Sequence, residues 1–441
     1  MFSKRDLKRL IIPLIFEQIL AVLMGMADTV MVASCSEAAV SGVSLIDGIN
    51  VLLLQLFAAL ATGGSVVVSQ YLGKKDFINA KNSSKQLVFA TLFISLLISF
   101  ACITFRIQII QLIFGNLDLE VFESAKIYFL ITAIGYPFIS VFNAGAALFR
   151  AIGNAKLSLK CSLMMNATNV VGNAILIYGF NMGVAGAAIA TTSSMVLGSV
   201  IMLYNLIKQQ TAVQIDTITH YRPNFKIIEK IFIIGIPSGL ENGMFHVGKL
   251  LTAGLIASFG TVAITANAVG NNLSNLACIP EMAIGLAMIT VVGRCIGAKE
   301  FEQARYYTKY LMKIAFISMV GLNLVMILLL KPILGIYSLS VPTTELALQI
   351  MTMYCIGAMF FVVPAFGLPN ALRAAGDVKF TMTVSIIVMW ACRIGLSYLF
   401  SLTFGLGLIG VWLAMIIDWL FRSIFFYARY RGKAWLTKGL V

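Results

Sequence analysis

Leu148-Phe149-Arg150-Ala151-Ile152-Gly153-Asn154 returns 223 residues later as Ala371-Leu372-Arg373-Ala374-Ala375-Gly376-Asp377. The echo is not isolated. Pro13 and Glu17 recur as Pro237 and Glu241, and Ala33-Ser34 as Ala257-Ser258, at an offset of 224. Gly73-Lys74-Lys75-Asp76-Phe77 becomes Gly297-Ala298-Lys299-Glu300-Phe301, and Gly183 with Gly186 becomes Gly407 with Gly410. A chain that repeats itself at half its length is a duplication, so both halves adopt one fold.

Composition says what that fold is. Of the 441 residues 60% are hydrophobic and 11% charged, with a mean hydropathy of +0.94; a soluble domain carries roughly a quarter charged residues. Apolar runs lie near 10–34, 45–70, 86–114, 125–149, 157–180, 183–207, 228–259, 262–293, 310–337, 346–372, 380–403 and 406–428. Each is long enough to cross a bilayer as a helix, which needs about 20 apolar residues. The expected fold is an all-α polytopic membrane protein of twelve transmembrane helices. Six spans per half make both halves enter from the same side, so the lobes, 1–207 and 228–441, relate by a pseudo-twofold axis along the membrane normal. The polar segment 208–227 is the expected cytoplasmic linker.

The net charge of +14 would suggest nucleic acid in a soluble chain. Here it is topology: starting from a cytoplasmic N-terminus, 27 of the 32 Lys and Arg residues fall on the inner side, as the positive-inside rule requires. The expectation is a multi-pass protein of the cell (inner) membrane with both termini cytoplasmic and no nucleic-acid partner. The first apolar run follows Lys4, Arg5, Lys8 and Arg9 as a signal core would, but it is too long and contains Glu17 and Asp28, so it reads as a retained helix. Seven dispersed cysteines and two histidines offer neither a disulfide framework nor a zinc site. Nor do they offer the clustered His, Asp or Glu of a membrane transferase. No enzyme activity and no cofactor are expected.

Ionisable groups within spans are expensive and therefore functional candidates. In the second half Glu241 and Asp418 are balanced in number by Lys249 and Arg393, which fits either an internally neutral charge network or a substrate site. Glu281, beside Pro280, is a candidate cavity acid or a water-exposed bystander. In the first half Glu17, Asp28 and Asp47 have no basic residue in their spans beyond Arg106. Glu17 is close enough to the inner edge to reach water, and is otherwise a second cavity acid.

At about 1.5 Å per residue, Asp28 lies about 9 Å from the outer end of its span, Asn173 about 10 Å, Thr191 about 12 Å and Asn169 about 16 Å. Asn169 and Asn173 share a helix face, being four apart. Three helices can thus converge one carboxylate and several neutral oxygens, donors that suit a sodium ion or an exchangeable proton; a hydrogen-bonded helix clamp is the plainer alternative. The second half breaks this quartet: adding 224 lands on Thr252, Arg393, Ser397 and Met415. Pro13 and Pro237 weaken the ladder of the first helix of each half and permit a bend. Arg150 and Arg373, each at the inner end of a span, read as interfacial anchors.

The chain resembles the multidrug and toxic compound extrusion (MATE) family over nearly its whole length. The resemblance rests on Met26-Ala27-Asp28-Thr29-Val30-Met31, Ser69-Gln70-Tyr71-Leu72-Gly73, Pro237 with Glu241-Asn242-Gly243, and Leu372-Arg373-Ala374-Ala375-Gly376-Asp377, in that order across the half-repeat. It implies two six-helix lobes and export of amphipathic organic cations, drugs among them, against H⁺ or Na⁺ by alternating access, from a single chain surrounded by lipid. It also implies that Asp28, Asn169, Asn173 and Thr191 are the coupling site, Na⁺ at Asp28 being the one metal ion in question. The second Asp that some members place at the position of Asn173 is absent, as is their acid in the tenth span, since 358–370 contains no Asp or Glu. A flippase for a lipid-linked saccharide, from the same superfamily, is the alternative.

Overall fold

The computed structural model describes residues 1–33, 37–115, 117–215, 221–337 and 339–441, apart from the side chains of 26–30, 33, 37 and 38. The described residues form twelve helical rods and no strand. Helices 1 to 6 are Lys4–Ala33, Glu37–Gly73, Phe77–Thr104 continuing as Arg106–Phe114, Leu119–Ala151, Ala155–Asn173 continuing as Ala174–Gly179, and Gly183–Lys208. Helices 7 to 9 are Phe225–Ala257, Thr261–Ala277 continuing as Ile279–Gly297, and Phe301–Ile336. Helices 10 to 12 are Val341–Ala374, Val378–Thr403 and Gly407–Arg431. Among the described residues, nine helices are long and apolar enough to cross a membrane by length and composition.

Helix ends follow local chemistry. Ser3 and Asp6 cap helix 1 reciprocally, Ser3 N–H donating to Asp6 Oδ2 (2.9 Å) and Asp6 N–H to Ser3 Oγ (3.1 Å), a capping box. Asp76 caps helix 3 by accepting from the Asn79 N–H at 3.1 Å. The duplication is written in the backbone as well. Left-handed residues recur as pairs: Lys75 (φ 62°) and Lys299 (φ 59°), Gly153 (85°) and Gly376 (93°), Asn181 (52°) and Gly405 (69°), Gly183 (53°) and Gly407 (52°). A positive φ is costly away from glycine, so its return at matched positions marks two copies of one set of turns.

The chain divides into two compact units, Ser3–Gly239 and Leu240–Val441 with Met1–Phe2. In the first, helices 2 and 4 form the centre, with Phe57, Phe129 and Tyr136 almost fully buried. Gly63 of helix 2 lets the first turns of helix 7 approach closely, since a Cβ there would lie 2.5 Å from the Ile231 carbonyl oxygen. Gln86 of helix 3 holds the chain that enters helix 7: its amide donates to the Arg222 carbonyl (2.9 Å) and accepts from the Tyr221 hydroxyl (2.8 Å). In the second unit Ile279–Gly297 is buried on almost every side. Outward stripes such as Phe93, Leu96, Leu97 and Phe100 are exposed, the apolar faces that lipid covers.

Candidate functional site

The same ion pair is built twice. In the first unit the Arg150 guanidinium meets Glu17 Oε1 at 3.2 Å, and the Ser158 hydroxyl lies 2.9 and 3.0 Å from the two carboxylate oxygens. In the second unit Arg373 meets Glu241 Oε1 at 2.7 Å, and Ser385 donates to that oxygen at 2.6 Å. Each acid stands four residues after the helix proline, and each arginine ends the fourth helix of its half.

The expectation of an unmatched Glu17 is therefore corrected: its partner comes from another helix. Arg150 and Arg373 are ion-pair partners rather than simple interfacial anchors. Of the balanced network Glu241, Lys249, Arg393 and Asp418, the structure keeps the Arg393–Asp418 approach, but each acid has a closer partner outside the four. Glu241 takes Arg373; Asp418, fully buried, takes Arg422 Nε at 3.0 Å, with Arg393 Nη1 3.9 Å away, beyond hydrogen-bond distance. Lys249 sits over the Phe245 ring, 5.6 Å from its centroid, with no carboxylate beside it among the described residues. Arg422 also donates to the Ser385 carbonyl at 3.1 Å, linking Asp418 to the Glu241 pair. Glu281 is buried, not water-exposed.

The side chain of Asp28 lies outside the described residues. The rest of its expected quartet does come together: Asn169 Nδ2 donates to Thr191 Oγ1 at 3.0 Å, and Asn173 Nδ2 to Asn169 Oδ1 at 3.2 Å. Both asparagines are fully buried, and the helix widens into i→i+5 bonding directly after Asn173, an irregularity often found at functional sites. Pro13 and Pro237 lie inside helices 1 and 7.

Thr191 lines a cavity of about 210 Å³ in the first unit, together with Asp47, Asn50, Tyr128, Thr132 and Tyr136. The Tyr128 hydroxyl donates to Asp47 Oδ1 (3.1 Å), Asn50 Nδ2 to the same oxygen (3.3 Å), and the Tyr136 hydroxyl to Asn50 Oδ1 (2.6 Å). No cationic side chain reaches Asp47 among the described residues. Its place in a cavity was not legible, because Tyr128 arrives from a helix 81 residues away. The second unit holds a cavity of about 250 Å³ lined by Lys249, Thr252, Asn267, Asn271, Arg393 and Met415 among others.

Fold and cavities together define a polytopic, all-helical membrane protein of two duplicated halves. Comparison with known proteins then places it. The MatE family model matches twice, at residues 13–175 and 237–399, and the chain belongs to that family; it is a transporter and not an enzyme. The two matches are offset by 224 residues, the spacing read from the repeat. It is 28% identical to "Uncharacterized transporter YisQ" of Bacillus subtilis, covering 97% of this chain and 94% of that one. It is 25% identical to "Probable multidrug resistance protein NorM" of Thermotoga maritima, covering 99% and 95%. Among solved structures, "Outward-facing conformation of a multidrug resistance MATE family transporter of the MOP superfamily" superposes with a TM-score of 0.92 at 22% identity, covering 98% of this chain and 96% of that chain. A transporter from Pyrococcus furiosus, whose title reads "Reverse polarity of binding pocket suggests different function of a MOP superfamily transporter", superposes at 0.91 and 21%, covering 97% and 95%.

Proposed function

We propose that this chain exports amphipathic organic cations across a cell membrane in exchange for H⁺ or Na⁺, by alternating access, working as a monomer within lipid with both termini cytoplasmic. The lobes are 1–207 and 228–441, joined by 208–227. One observation carries the reading: the first unit keeps an anionic cavity. Glu17 is neutralised by Arg150, whereas Asp47 faces the cavity without a cationic neighbour among the described residues, and Thr191 joins that cavity to the buried Asn169–Asn173 pair. A carboxylate in a low-dielectric wall attracts a positive partner strongly, and neutral amide and hydroxyl oxygens suit a hard monovalent cation or a proton acceptor. Asp28, one helix away in sequence, completes the coupling site with Asn169, Asn173 and Thr191. The names of NorM and of the multidrug export protein MepA of Staphylococcus saprophyticus, 25% identical over 62% of this chain, support drugs as cargo.

The test is uptake of a fluorescent organic cation into proteoliposomes, driven in turn by an imposed pH gradient and an imposed sodium gradient. Uptake under one gradient, lost in Asp28→Asn with normal insertion, is the expected result. No uptake under either, with binding of a lipid-linked saccharide instead, would overturn the reading in favour of a flippase.

A further inference from the structure

The two cavities are images of one another under the duplication, with their polarity reversed. Adding 224 to cavity positions of the first unit gives cavity positions of the second: Gly25 becomes Lys249, Asp47 becomes Asn271, and Thr191 becomes Met415. The same shift carries Asp28 to Thr252 and Asn169 to Arg393, both of which line the second cavity. Acids have become neutral, and neutral positions have become basic.

The charges left behind do not cancel. Lys249 and Arg393 lie 5.6 and 4.9 Å from the centroid of the same Phe245 ring, so two positive groups share one aromatic neighbour. Asp418, the acid that Arg393 approaches at 3.9 Å, is already bonded to Arg422 at 3.0 Å. Glu241 is taken by Arg373. Among the described residues, Lys249 and Arg393 face the cavity, and the one carboxylate within ion-pair distance of either is Asp418, which Arg422 holds more closely. Asn267 adds a donor: its amide oxygen accepts from Trp412 Nε1 at 3.1 Å, which leaves its NH₂ group as what it can offer. Like charges crowded in a water-poor site repel unless an anion joins them.

We infer that the cavity of the second unit binds an anionic group, a carboxylate or phosphate attached to an apolar body, with Lys249 and Arg393 as its cationic contacts and Trp412 and Met415 as apolar wall. At about 250 Å³ the cavity is slightly below the usual range for small-molecule sites, about 300–1,000 Å³, so it takes the charged end of such a molecule. Lipid headgroup and free organic acid share this chemistry. The site stands independently of the cation-export reading: cation uptake and anion binding are read separately, and either can fail alone.

The experiment uses the full chain in nanodiscs of zwitterionic phosphatidylcholine, with equilibrium binding of 1-naphthoate, 1-naphthamide and 1-naphthylmethylammonium. Naphthoate is expected to bind at least tenfold more tightly than the amide. Lys249→Gln and Arg393→Gln should each weaken it about tenfold or more, the usual size of a lost charge-assisted contact, while Lys249→Arg retains binding and the exposed Lys331→Gln changes nothing. If phosphatidylglycerol in the disc displaces naphthoate from the native chain and not from Lys249→Gln, a lipid headgroup is the occupant and the site is supported. Equal affinity for the three naphthalene probes, or naphthoate binding unchanged in both charge-removing variants, overturns the inference. Should those variants fail to insert, titration of the native chain still decides, because only an anion site ranks the carboxylate above the amide and the ammonium.

Discussion

The Glu241–Arg373 pair makes a quantitative claim that can be broken on one side at a time. Both members are largely buried, 9% and 17% exposed at the side chain, with 2.7 Å between Oε1 and Nη2. Taking charge centres about 4 Å apart at an effective dielectric near 20 gives about 4 kcal/mol of attraction. Removing one partner of a buried pair costs about 3–5 kcal/mol, because the other is left unmatched. Residual solvent contact at Arg373, and its second bond to Asn370 at 2.9 Å, favour the lower end, about 3 kcal/mol. A unit of roughly 200 residues loses about 2–4 °C per kcal/mol. Arg373→Met and Glu241→Gln should therefore each lower the unfolding midpoint by about 6–12 °C. The double variant should recover part of that loss, because it leaves no orphan charge. Thermal unfolding of the purified protein in nanodiscs, across the double-mutant cycle, measures this. Single variants within 1 °C of the native chain, or costs that simply add, would refute the claim that the pair is a coupled, desolvated unit.

Three further outcomes are expected. Asp76→Ala should lower the midpoint by about 2–4 °C, the worth of an N-cap of about 1 kcal/mol, whereas Glu300→Ala at the matched position should not, since Glu300 makes no side-chain cap bond. The Asn79 side chain and N–H hold the Asp76 carboxyl below the usual carboxylate range; this contribution is present above the ordinary aspartate value, near 3.9, and lost as pH falls through the lowered one, so the Asp76→Ala difference should close in strong acid. Gly63→Leu should abolish monodisperse protein on size exclusion, because its Cβ meets the Ile231 carbonyl, while Gly243→Ala, with nothing within 4 Å, is tolerated. Asp47→Asn should raise the concentration of organic cation needed for half-maximal uptake at least tenfold, as expected for a lost charge-assisted contact; an unchanged value removes Asp47 from cation recognition.

Helices were legible because apolar length is local information, and the duplication because identity at a fixed offset needs no structure. Helix rise per residue put Asn169, Asn173 and Thr191 within one band of depth, but not which pair meets: Thr191 bonds Asn169, the deeper asparagine, rather than Asn173. The ion pairs were not read, although the signal was present: Glu17 and Arg150 are 133 apart, Glu241 and Arg373 are 132 apart, and both members of each pair recur together. Counting charges within a span hid this, because partners for a helix residue come from neighbouring helices. Arg422, near the inner end of helix 12, is likewise buried beside Asp418 four residues earlier. Ser158 and Ser385, which complete the two pairs, stand one helical turn apart in the repeat register, so no fixed offset could match them.

What duplication preserved and what it let change separate cleanly. The Glu–Arg pairs, the left-handed turn residues and the helix prolines survive in both halves; the pairs tie the first helix of each half to its fourth, and the other two act on the backbone path. Polar cavity positions do not survive: Asp47 and Asn271, and Gly25 and Lys249, share a place and not a charge, and Thr191 and Met415 share a place and not a polarity. Selection on fold acts equally on both copies, since each must bury the same faces. Selection on ligand acts on each cavity by itself. A protein whose two cavities carry opposite polarity can therefore meet a positive and a negative group with one architecture, and neutralising either cavity should impair its own ligand while leaving the other's affinity within a few-fold.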